Sequence, residues 1–432
     1  MNFYSTNNRS LKANFREAVL KGLAPDNGLY QPESIPVLKK GFLQTKNLSL
    51  QEIGYEAAKK FTGNEITNEA LNKIITESLN FLIPVFPISD HVLVMELFHG
   101  PTLAFKDVGA RFMARTLSHF IKNKKKEITV LAATSGDTGS AVASGFYGAE
   151  GLRVVILYPS GGISRLQEKQ MTTMGKNITA LEVSGTFDDC QRLVKRAFAD
   201  ADLKKKHSLT SANSINIARL IPQMFYYLYA YSFLREKQNI VFSVPSGNFG
   251  NLTAGLMAKK MGMKADFIAA TNSNNVVPEF LESGTFTPKP SRKTLSNAMD
   301  VGNPSNFSRI LDLYNNAHED IRKEICGYSI TDEETKSTIK RIALEKNYLL
   351  DPHGAVAYTA LEKHMSKQTL SRSEQTTGIF LATAHPAKFW EVVEDAIGRA
   401  IILPDTLKAC LEKEKSAVKI TADYNSLKEL LS

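Results

Sequence analysis

From residue 92 onward the chain alternates short apolar runs with longer amphipathic stretches. Val92–Leu97, Ile128–Ala133, Arg153–Tyr158, Ile178–Val183, Ile240–Val244, Ala265–Thr271 and Gly378–Thr383 form the runs. Lys106–Ile121, Ser140–Tyr147, Ser164–Met174, Phe187–Leu203, Asn216–Arg235 and Asn251–Met261 fill the gaps. A strand apolar on both faces must be covered on both faces, and a parallel neighbour is reached only through a long crossover, usually a helix. The pattern therefore predicts an α/β fold with parallel sheets and helices on either side. Two such lobes are expected, 91–125 with 237–400 and a smaller one over 126–236. Residues 1–90 lack the alternation and carry helical patterns at Phe15–Leu23, Leu50–Phe61 and Ala70–Leu79, so they read as an N-terminal cap domain. Residues 401–432 read as C-terminal helices.

One junction stands out chemically. The run Val92–Leu97 enters His99-Gly100-Pro101-Thr102-Leu103-Ala104-Phe105-Lys106-Asp107, and a helix opens near Lys106, with Met113, Leu117, Phe120 and Ile121 forming its apolar stripe. A lysine behind Leu103, Ala104 and Phe105 loses contact with water, which lowers its pKa and exposes a neutral, nucleophilic amine. That is the requirement for a Schiff-base lysine. A snorkelling surface lysine would leave the same trace.

Several strand-to-helix loops could hold an anion. Thr134-Ser135-Gly136-Asp137-Thr138-Gly139 has small side chains that let amides and hydroxyls converge on a carboxylate, though a capped tight turn reads the same way. Ser246-Gly247-Asn248-Phe249-Gly250-Asn251 suits a phosphate at a helix start, and is neither a Walker loop nor a dinucleotide fingerprint. In Asn213-Ser214-Ile215-Asn216-Ile217-Ala218-Arg219, Asn216 caps a helix that carries Arg219 against the macrodipole; an anionic partner or plain exposure would explain the arginine. Asp351-Pro352-His353-Gly354 is explained by capping. Leu381-Ala382-Thr383-Ala384-His385-Pro386-Ala387-Lys388-Phe389 ends a strand at a hydroxyl, Thr383.

Composition removes other classes. No apolar run nears the roughly 18 residues needed to span a bilayer, and the opening residues lack a secretory pattern. Cys190, Cys326 and Cys410 are far apart, which fits a reducing compartment, and a cytoplasmic setting is expected. The eight histidines show no metal-ligand spacing, so no metal is expected. No Gly-x-Ser-x-Gly elbow marks a hydrolase. The formal charge of +9 lies partly in Lys122–Lys126 and Lys204–Lys206, at expected helix ends. Such runs read first as solvated helix ends favoured by the macrodipole; nucleic-acid binding would want aromatic interleaving, and a basic protein can also simply favour an anionic small substrate.

Taken together and in this order, the motifs resemble the pyridoxal-phosphate enzymes of fold type II, and within that fold the threonine synthase family. Phe15-Arg16-Glu17-Ala18-Val19-Leu20-Lys21-Gly22-Leu23-Ala24-Pro25-Asp26-Asn27-Gly28-Leu29-Tyr30 is similar to that family's N-terminal signature. His99–Asp107 is similar to its lysine motif, Ser135–Gly139 to its substrate loop, and Pro245–Asn251 to its phosphate loop. The resemblance implies two parallel-sheet lobes with a cap, and pyridoxal 5'-phosphate as cofactor. Lys106 would hold the cofactor and move protons. Gly247, Asn248, Phe249 and Asn251 would cradle its phosphate, and Thr383 would face the ring nitrogen. Ser135, Asp137 and Thr138 would grip the substrate on its α-carboxylate side, and Asn213, Ser214 and Arg219 would bind the leaving phosphate of O-phosphohomoserine. Where the family often shows a proline in this last motif, the chain has Ile217. The implied activity forms threonine and phosphate from phosphohomoserine and water. A serine or threonine dehydratase of the same fold, or a non-catalytic polyanion-binding protein, are the competing readings; oligomeric state is left open.

Overall fold

The computed structural model describes residues 1–122, 127–234, 239–368 and 376–432. The basic run beyond Lys122, Arg235 at the end of an expected helix, and the expected lobe boundaries at 125 and 236–237 lie outside them.

Two parallel sheets form the body. The larger has six strands in the order Ile325–Ser329, Asp266–Thr271, Ile240–Pro245, Thr377–Ala382, Val92–Glu96, Val85–Ser89. Only the last pair is antiparallel. The smaller has five parallel strands, Val418–Thr421, Ile178–Ser184, Leu152–Pro159, Ile128–Ala133 and Ser208–Ser211. Every residue of the central strands Ile240–Pro245, Thr377–Ala382 and Ile128–Ala133 is buried, as runs apolar on both faces require.

The N-terminal region is not wholly helical. Asn2–Ser5 pairs antiparallel with Lys12–Asn14 and Tyr30–Pro32. Glu65 accepts the amides of Phe15 and Arg16, each at 2.9 Å, so a distant carboxylate satisfies the start of helix Phe15–Lys21. Phe3, Phe15 and Phe61 join one core with Phe112, Phe225 and Ile156, fastening the cap to both lobes.

Four expectations need correction. Val85–Ser89, within the stretch read as cap, is an edge strand of the larger sheet, and its Pro87 is tolerated only at an edge. The C-terminal stretch contributes Val418–Thr421 to the smaller sheet as well as helices; only Ile420 of that strand is buried, so its apolar signal is faint. Helix Phe187–Leu203 is broken at Asp200, whose carboxylate caps Ala201–Lys206 through Asp202 and Leu203. Pro222 divides Asn216–Arg235 into Ile217–Leu220 and Gln223–Leu234. The second piece packs against Leu50–Thr62 of the cap and Gly250–Lys260 of the larger lobe. No helix among the described residues is long and apolar enough to cross a membrane.

Candidate active site

The lysine turn is pinned from both sides. Leu97 donates to the Ala382 carbonyl, Phe105 to that of Thr383 at 2.9 Å, and His385 to that of Leu103 at 3.0 Å. The turn between these bonds carries Leu103 at φ +57°, in the left-handed region that a leucine seldom occupies. Asp107, wholly buried, closes it by accepting the Thr102 amide at 2.8 Å and hydroxyl at 2.7 Å. Gly100 is required here, because a Cβ would stand 2.5 Å from the Asp107 carboxylate. Helix Lys106–Ile121 begins at Lys106, with Met113, Leu117, Phe120 and Ile121 buried behind it. The Lys106 ammonium lies 4.7 Å from the Phe105 ring centroid, and its side chain is 18% exposed. Desolvation, against the attraction of Asp137, brings its pKa down to about 8.

Facing it is the loop after Ile128–Ala133. Thr134 closes this loop on itself by accepting the amides of Gly136 and Gly139. Gly136 sits at φ +132°, and a Cβ there would meet the Gln167 carboxamide at 2.4 Å. Gln167 in turn donates to Asp137 Oδ1 at 3.0 Å. The same oxygen lies 2.8 Å from Lys388 Nζ, while Oδ2 lies 3.9 Å from Lys106 Nζ. Burial alone would raise the Asp137 pKa, but Lys388 and Lys106 overcome it and hold the carboxyl well below its ordinary value. With that charge committed to cations, the loop can offer an incoming carboxylate only the hydroxyls of Ser135 and Thr138 and the amides at the start of helix Asp137–Phe146.

The third wall is the loop after Ile240–Pro245. Phe249 adopts φ +60° and turns the chain into helix Gly250–Lys260. The amides of Gly247, Asn248 and Phe249 meet no backbone acceptor among the described residues. Successive unclaimed amides at a helix N-terminus form a nest for an anion. The asparagines hold this frame together. Asn251 Nδ2 donates to the Pro245 carbonyl, and Asn248 accepts the Ser305 amide at 2.6 Å while donating to Ser214 Oγ at 2.8 Å. Asn213 exchanges two bonds with the backbone of Ala133. Ser214 Oγ also accepts from Asn306 at 3.0 Å, so with two donors pointing in, its own hydrogen remains to be given outward.

Arg219 is 3% exposed and donates to the Ala212 carbonyl, and its Nε meets no acceptor among the described residues. Burial lowers its pKa to about 10, opposed only by Asp107. The side chain borders the cavity, so an anion entering there would meet a guanidinium that makes no ion pair with a carboxylate among the described residues.

One cavity is bordered by Lys106, Ser135, Asp137, Thr138, Asn213, Ser214, Arg219, Gly247, Asn248, Phe249, Asn251 and Thr383 together. Sequence reasoning missed Lys388, Gln167, Arg309 and the orientation of His353. His353 also lines the cavity; its Nδ1 lies 2.6 Å from Asp351, and its Nε2 accepts the Ala298 amide at 3.3 Å, which leaves Nδ1 as the protonated nitrogen. Arg309 is fully buried beneath the loops and donates to the carbonyls of Tyr30, Ser214 and Ile215 and to Asn306. Burial brings its pKa down to about 9. Gln167 and Arg309 are polar positions on short helices, where apolar periodicity does not mark a role; Lys388 and His353 lay inside quoted turns, but nothing local showed what they meet.

Residues 83–381 match the profile of the pyridoxal-phosphate dependent enzymes, residues 2–79 that of the threonine synthase N terminus, and residues 354–431 that of the threonine synthase C-terminal region. The threonine synthase of Buchnera aphidicola subsp. Schizaphis graminum is 44% identical, with 100% of this chain and 99% of that protein covered. This chain belongs to the threonine synthase family. The crystal structure of threonine synthase from Escherichia coli superposes with a TM-score of 0.93 at 42% identity, covering 100% of this chain and 99% of that one. Pyridoxal-phosphate-bound threonine synthase from Brucella melitensis gives a TM-score of 0.90 at 33% identity, covering 100% and 98%. Two parallel-sheet lobes and an N-terminal cap are thus the threonine synthase arrangement, and pyridoxal phosphate is the cofactor. The cavity fits that group: a partly desolvated amine on one wall faces an amide nest on another.

Proposed function

We propose that the chain converts O-phospho-L-homoserine and water into L-threonine and inorganic phosphate, in the cytoplasm. The observation that carries this reading is the charge of the cavity lining: Lys106 and Arg219 border it against the single carboxylate of Asp137, and Arg219 makes no ion pair with a carboxylate among the described residues. Such a site favours a ligand with a second anionic group over a serine or threonine that has none.

Pyridoxal phosphate supplies an electron sink for the pair released at the substrate's α-carbon. Lys106 would hold it covalently, the amides of Gly247, Asn248 and Phe249 would take its phosphate, and Thr383 would face the ring nitrogen. A neutral hydroxyl there does not enforce a protonated ring, which suits elimination better than transamination. The Lys106 amine would also take the α-proton, since a partly desolvated amine works near neutral pH. Ser135 and Thr138 would orient the α-carboxylate. Arg219 and the outward hydrogen of Ser214 would stabilise phosphate as it departs from Cγ, with Asn213 fastening their loop to Ala133. The Ser214–Asn248 bond joins the loops that would hold the cofactor phosphate and the leaving phosphate.

Purified protein loaded with pyridoxal phosphate and given O-phosphohomoserine should release threonine and phosphate in equal amounts. Phosphate with a 2-keto acid in place of threonine would overturn the reading in favour of a degradative lyase.

A further inference from the structure

Two lysines compete for one carboxylate at the floor of the cavity. Lys388 is completely buried on the short turn Pro386–Phe389. It reaches Asp137 Oδ1 at 2.8 Å and donates to the Thr102 carbonyl, also at 2.8 Å. Gln170 donates to that carbonyl as well, at 3.2 Å. Lys388 thus ties the Asp137 loop of the smaller lobe to the turn that presents Lys106. A buried ammonium is tolerated only when paired and hydrogen-bonded, and both conditions are met here. With Gln167 on the same oxygen, Asp137 is held so that its other oxygen stops 3.9 Å short of Lys106.

We propose that Lys388 is a positioning residue that keeps Asp137 occupied, so that the Lys106 amine is free to lose its proton and bond the cofactor. The proposal rests on the assignment of Lys106 above. Condensation needs the neutral amine: its lone pair forms the C–N bond at the cofactor aldehyde, and the carbonyl oxygen leaves as water with the two amine hydrogens. The charges facing Lys106 are Asp137 and Asp351, which favour its protonated form, and Lys388 and Arg219, which oppose it. Asp351 is itself engaged by His353. Removing Lys388 deletes one opposing cation and frees Asp137 to close on Lys106. Both changes act in the same direction, toward a more tightly held proton.

The test times the visible absorbance that develops when pyridoxal phosphate is added to the full-length chain stripped of cofactor, as a function of pH. For the unaltered chain the rate should rise through a midpoint near 8, where the amine becomes neutral. Lys388→Met and Lys388→Gln should move that midpoint up by about one pH unit, making attachment roughly tenfold slower at a fixed lower pH. Lys388→Arg should keep the original midpoint, and adding Asp137→Asn to Lys388→Met should bring it back down. Lys388→Gln can still donate to the Thr102 carbonyl, so it carries the test if the methionine variant does not fold. An unmoved midpoint in either neutral variant overturns the proposal. Failure of both to fold overturns it too, because Lys388 would then be a structural residue. If Lys106→Ala still develops the absorbance, the assignment of Lys106 fails and takes the proposal with it, an outcome distinct from an unmoved midpoint.

Discussion

The backbone amide of Phe105 donates to the carbonyl of Thr383 at 2.9 Å, across 278 positions of sequence. That bond, with the bridge between Ala104 and Ala384, stitches the lysine turn to the end of the strand Thr377–Ala382. Lys106 and Thr383 thereby border the same cavity, and the distance between them is set by hydrogen-bonded backbone rather than by flexible side chains.

Lys106→Ala should abolish covalent attachment of pyridoxal phosphate. The visible absorbance of the loaded protein disappears and phosphate release from O-phosphohomoserine falls to background, because among the described residues no other lysine borders the cavity. Absorption spectra before and after borohydride treatment check this.

Lys106 should also leave a signature in the stability of the cofactor-free chain. Its folded pKa of about 8 lies below the ordinary 10.5, so between these values the unfolded chain binds more protons than the folded one. Stability therefore gains from this group as pH rises through that window, and the destabilisation is fully present below it. Urea midpoints at pH 8 and pH 10 should show a smaller rise for Lys106→Met than for the unaltered chain.

Arg219→Ala should raise the KM for O-phosphohomoserine about 10- to 100-fold, the loss of one charge-assisted contact, while the affinity for pyridoxal phosphate changes little. Arg219→Lys should recover only part of the loss, since a lysine lacks the planar fork. Steady-state kinetics alongside cofactor titration separate the two effects.

Arg309→Met should destabilise the fold by about 3 kcal/mol, because the buried carbonyls of Tyr30, Ser214 and Ile215 lose their donors. Urea unfolding measures this. The Arg309→Lys variant should stay well short of the original stability, because an ammonium cannot reproduce the fork of the guanidinium and reach all of these carbonyls at once.

Gly136→Ala should cost about 1–3 kcal/mol from its backbone conformation alone. The added methyl would also displace Gln167 from Asp137, so activity should fall further than stability predicts. Melting temperature and turnover measured on the same preparation give both numbers.

Much of the layout was written in the chain's local pattern. Ile128–Ala133 and Lys106–Ile121 stand where their apolar periodicity predicts, because a strand or helix buried along its length carries its own period in its residues. Val418–Thr421 and Ser208–Ser211 gave no such signal, since short edge strands owe their conformation to a neighbour that the local sequence does not contain. At the site, the motif order singled out residues that border one cavity, but not what each side chain does there. Asn213 and Asn248 turned out to spend their amides on the frame. Asp137 spends its charge on Lys388.

The sequence alone determined the long segments that are buried along their length as strands and helices, the anion-ready loops between them, and that a lysine opens a helix behind apolar neighbours. Tertiary structure decided which carboxylate each lysine meets, which donors are left unclaimed, and that Arg309 supports the loops from beneath. Periodic burial is a local property of a chain, whereas charge pairing and hydrogen-bond satisfaction depend on groups hundreds of residues apart meeting within about 3 Å.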